Sequence, residues 1–96
     1  MNREREIKLL SEGKEVSFRP VGNSMSPRIL SKQLVTFSPN ISDVKVGDVV
    51  LCKVEGNIYC HLVTAIQGDR YQISNNKGHV NGWSKTIYGK VIKVEE

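Results

Sequence analysis

Two strongly apolar runs, Val49 to Val54 and Ile58 to Ile66, are separated only by Glu55-Gly56-Asn57. A glycine-containing spacer of that length between β-forming runs predicts a hairpin. The rest of the chain is punctuated in the same manner. Glu15 to Arg19 alternates polar and apolar residues, as a half-buried strand does, and Gln33 to Phe37 reads as a strand ended by Pro39 and Asn40. Val44 to Asp48 carries a turn signal, and Gln67-Gly68-Asp69-Arg70 turns the chain into Tyr71-Gln72-Ile73-Ser74. A polar loop is expected from Asn75 to Gly82, then a last strand from Ile87 to Val94. Two segments read as helical. Arg3 to Glu12 sets Ile7 and Leu10 three apart among polar residues, with Gly13 as its stop. Ser26 to Leu30 has a capping serine followed by a first-position proline, which predicts one helical turn. The expectation is one domain over residues 1–96, with an N-terminal helix in 1–13 and a β domain in 14–96. Its class is mainly β, a folded-over sheet or partly open barrel.

With 6% aromatic residues, valine, isoleucine and leucine must fill the single modest core that 96 residues allow. A net charge of +4 invites a nucleic-acid reading. The basic residues, however, alternate with acids, as in Arg3-Glu4-Arg5-Glu6, and form no block, so a solvated surface is the better account. No apolar run approaches the ~20 residues of a membrane span. The charged start lacks the apolar stretch of a secretory signal, so a cytoplasmic location is expected, with Cys52 and Cys60 as reduced thiols. A disulfide across the hairpin is the lesser alternative. Cys52, Cys60, His61 and His79 contain no Cys-x-x-Cys, and neighbours Cys60 and His61 point to opposite faces of a strand. No metal or other cofactor is expected. His79 reads as solvated, and Trp83 as a lid over the core edge.

The stretch Gly22-Asn23-Ser24-Met25-Ser26-Pro27 places one hydroxyl on a bend between a glycine and a proline. Such residues also make ordinary loops. Together with three later segments, though, the stretch resembles the LexA-like repressor and signal-peptidase superfamily of serine proteases. It is similar to that family's G-x-S-M-x-P nucleophile box. Val46-Gly47-Asp48-Val49-Val50 resembles its G-D-V-V turn, Tyr59-Cys60-His61-Leu62-Val63 its base-bearing strand, and Ile87-Tyr88-Gly89-Lys90-Val91 its closing strand. The resemblance runs from about Pro20 to Val94, with the elements in the family's order.

The resemblance implies Ser24 as nucleophile and His61 as general base, 37 residues apart (61 − 24). Members use either lysine or histidine at the base position, and Lys53, on the preceding strand, is not placed there. A serine needs a neighbour to take its proton, and an imidazole titrates in the range where it can. The backbone N–H groups of Asn23 and Ser24 are the implied oxyanion donors. Histidine-type members carry an aspartate after the base strand, where this chain has Ser74. Asn75, Asn76 or Asp69 could stand in for it as the group that orients the ring. The arginine that usually follows the base is Leu62 here. No Ala-Gly or Cys-Gly bond precedes Ser24, so self-cleavage of the LexA kind is not expected. The implied function is that of a serine endopeptidase acting on another protein through an extended groove. A catalytically silent module that binds a partner in the same groove is the alternative. The small size would suit a phage or mobile-element protein.

Overall fold

The computed structural model describes residues 2–96. Helix α1 spans Glu4–Ser11, and the strands are β1 (Val16–Phe18), β2 (Leu34–Ser38), β3 (Val49–Val54), β4 (Asn57–Gln67), β5 (Arg70–Ser74), β6 (Val80–Ser84) and β7 (Thr86–Glu95). All seven strands belong to one antiparallel sheet in the order β1-β2-β7-β3-β4-β5-β6. The fold is mainly β, and the sheet folds over without closing.

Strand β3 explains that shape. Its burial does not alternate, because both of its faces meet apolar side chains. Val49 and Leu51 join Leu10, Phe18, Met25, Ile29, Val35, Phe37 and Cys60 on one side. Val50, Cys52 and Val54 join Val63, Ile73 and Ile87 on the other. A strand covered on both faces reads as a continuous apolar run, which is what Val49 to Cys52 is before the exposed Lys53. Helix α1 covers the first face, where Leu10 presses on β7. A Cβ on Gly89 would lie 3.1 Å from the Leu10 methyls and 3.0 Å from the Ser38 carbonyl oxygen, so a side chain there would lift the helix. The second face is covered by the sheet itself. Strand β6 curls back until Ser84 Oγ donates to the Lys53 carbonyl at 2.6 Å. A Cβ on Gly82 would come within 2.9 Å of Val54 Cγ1, and its φ of +142° suits glycine.

Two expectations need correction, those for Asn75–Gly82 and for Trp83. The polar segment Asn75–Gly82 contains the start of β6. Its alternation is lost because the register shifts between Ile73 and Ser74, leaving Val80 and Trp83 exposed beside buried Ser84. The helical turn expected at Ser26 to Leu30 is present as a single i to i−4 bond one residue earlier, Ile29 N–H donating to the Met25 carbonyl. A tighter turn precedes it, Ser26 N–H donating to the Asn23 carbonyl, and together they set Met25 and Ile29 in the core. Trp83 is no lid: it is 40% exposed, with the Arg70 guanidinium 6.0 Å from its ring. Cys52 and Cys60 are free thiols, as expected. The hairpin sets Cys52 opposite Tyr59 and Cys60 opposite Leu51, so the thiols lie on opposite faces. Among the described residues, no helix is long and apolar enough to cross a membrane.

Candidate active site

The segment between β1 and β2 is a loop pinned at its base and at its waist. Lys32 N–H donates to the Pro20 carbonyl at 2.7 Å, Arg19 Nη1 to the Lys32 carbonyl at 2.8 Å, and Gly22 N–H to Ser31 Oγ at 3.1 Å. Met25 and Ile29, 4% and 5% exposed, anchor it from below. Ser24 sits half-buried on the upper side of this loop. The β5–β6 connection holds it from outside: Asn76 N–H donates to the Ser24 carbonyl at 2.8 Å, and Asn76 Nδ2 to the Ser26 carbonyl at 3.0 Å. Arg28 Nε in turn donates to Asn76 Oδ1 at 2.7 Å. The hydroxyl is therefore fixed by contacts on both sides of its own backbone.

His61 comes from β4. It points away from Cys60 and stacks on Tyr59 with ring centroids 4.9 Å apart. Its Nε2 lies 3.0 Å from Ser24 Oγ, and its Nδ1 lies 2.6 Å from Asn81 Oδ1 on β6. An amide oxygen can only accept, so Nδ1 carries the proton and Nε2 is left as the acceptor for the Ser24 hydroxyl. That is the tautomer a general base requires. Burial pushes the imidazole below its ordinary pKa of 6.5. The Asn81 bond works against that shift, and the nearby charge of His79 works with it. The ring is therefore neutral, and able to take a proton, at neutral pH.

None of the four residues proposed to orient the ring does so. Ser74 is buried and shares a hydrogen bond of 2.9 Å with Thr64 Oγ1. Asn75 Oδ1 accepts from Lys77 and His79 N–H and closes its own turn. Asp69 is exposed in the turn at the far end of β4. Asn76 belongs to the site but holds the serine loop, not the imidazole. The orienting position falls instead to Asn81, which sequence reasoning passed over. Its segment looks like loop, and only the curl of β6 brings it to His61. Lys53 faces a separate cavity beside α1, not the site.

Among the described residues, the backbone N–H groups of Asn23 and Ser24 donate to no protein acceptor. A cleft of about 370 Å³ opens beside Ser24 and His61, walled by Val21, Met25, Ile29, Leu30 and Ile58. Along it, β4 residues Asn57 to His61 pair only with β3, because β5 joins from Leu62 onward. The arrangement thus combines a hydroxyl, a neutral base, unused backbone donors and an open strand edge. A family model described as Peptidase S24-like matches residues 4–92. Comparison with curated proteins and with solved structures finds no match.

Proposed function

Since this chain belongs to the Peptidase S24-like family and is a peptidase-fold domain, we propose that it is a serine endopeptidase acting on another polypeptide. The observation that carries this reading is Ser24 Oγ at 3.0 Å from an imidazole whose other nitrogen is held by Asn81. In the reaction, Ser24 Oγ bonds to the peptide carbonyl carbon as its proton passes to His61 Nε2. The oxyanion that forms is met by the Asn23 and Ser24 N–H groups. The C–N bond then breaks, and the imidazolium returns its proton to the leaving amine. Water follows the same route, losing a proton to His61 as it attacks the ester, and Ser24 regains its hydrogen. The substrate lies extended against the free edge of β4, where its backbone groups replace the missing strand.

One feature favours a second reading, a silent module that binds a partner in this groove. Asn81 orients the ring but brings no negative charge to stabilise the imidazolium. A serine-reactive fluorophosphonate separates the two. Labelling of the wild type that Ser24→Ala removes is the expected result for the enzyme, and absence of labelling at every pH would leave only the binding module.

A further inference from the structure

A second cavity, of about 570 Å³, lies between α1 and the β3–β4 hairpin. Three cationic side chains, Arg3, Lys8 and Lys53, line it against the single carboxylate of Glu4. Lys8 and Lys53 form no ion pair among the described residues. Arg3 is held over the Phe18 ring at 4.0 Å, its Nε buried and without a partner. Its Nη1 pairs with Glu6 at 3.8 Å, so the unpaired charge of the cavity is that of the two lysines. Tyr88 adds a phenol, a donor at neutral pH, whose pKa burial raises further. Ile58 is common to this cavity and to the cleft beside Ser24. It stands three positions before His61 on the strand whose outer edge is open, about 10 Å along an extended chain.

We propose that this cavity is an anion-recognition pocket that engages an acidic side chain of the polypeptide laid along β4. The inference rests on the reading of the groove as a site for an extended chain. The acidic residue falls about three to five positions from the bond at Ser24, by strand rise. Ile7, Ile58 and Tyr88 give its methylene stem an apolar wall, while the carboxylate meets Lys8 and Lys53. Both lysines are exposed, so reversing them leaves the fold intact.

The test profiles cleavage of a proteome-derived peptide library by the wild type, by Lys8→Glu/Lys53→Glu, and by the charge-matched control Lys14→Glu/Lys85→Glu. Asp and Glu should be enriched about three to five positions from the cut. The pocket variant should lose that preference on the order of tenfold, and the control should keep it. Cleavage without acidic preference, or a preference lost equally in the control, overturns the pocket. If Ser24 neither labels nor cuts, the endopeptidase reading fails on its own. Fluorescence anisotropy then decides, using a fluorescein-labelled peptide with a glutamate block and its glutamine twin. Binding of the glutamate peptide alone, lost in Lys8→Glu/Lys53→Glu, upholds the pocket; equal or absent binding of the two peptides overturns it.

Discussion

In the reaction proposed for the cleft, Ser24 Oγ supplies the attacking lone pair and His61 the place for its proton, so the two would act as a unit. Ser24→Ala and His61→Ala should each abolish fluorophosphonate labelling while leaving circular dichroism unchanged. Asn81→Ala keeps both groups but frees the ring to rotate and to change tautomer. Its labelling rate should fall by between about 10²- and 10⁴-fold, the upper figure being what loss of an orienting carboxylate costs elsewhere. The direction of the His61 shift sets the pH profile. Its base form, favoured by burial, persists below pH 6.5, so the rate should be flat above that value and fall only in more acid solution. Asn81→Asp places a carboxylate against Nδ1 and favours the imidazolium, so the acid limb should move to higher pH. A limb that moved the other way would break the assignment of Asn81. Ser24 and His61 were legible because each lies in a short local motif. Asn81 was not, since nothing within Val80-Asn81-Gly82-Trp83-Ser84 marks the residue that a long-range curl will bring to the ring.

For the elements, the readable strands were those with a clear pattern: the apolar run Val49 to Cys52 of β3, and the alternation in β1 and β2. Strand β6 escaped because its register shift breaks the two-residue period that sequence reading relies on. Gly82 marks the cost of the curl. Gly82→Ala should lower stability by about 1–3 kcal/mol, from its positive φ together with the contact at Val54. It should also depress labelling more than that loss explains, since Asn81 is its chain neighbour; thermal and labelling assays on one preparation check both. Met25 tests the loop from below. Emptying its buried position with alanine should cost about 2–5 kcal/mol.

Across the whole molecule, the two cores share strands β3, β4 and β7, and each holds one cysteine. Burial pushes both thiols up to about 12, so neither should react with a maleimide at neutral pH until the sheet opens. The labelling of each cysteine under partial denaturation then reports which core loosens first. The β5–β6 connection has a further consequence. Asn76, which tethers the Ser24 loop, and Asn81, which holds the imidazole, lie on one hairpin whose outer strand has a neighbour on one side only. Edge hairpins open at lower free energy than central strands. A single local opening would release both ends of the proton path together, whereas the double-faced core around β3 would stay shut. Warmed gradually, the protein should lose the fluorophosphonate labelling proposed for Ser24 several degrees before it loses its ellipticity, and regain it on cooling without having unfolded.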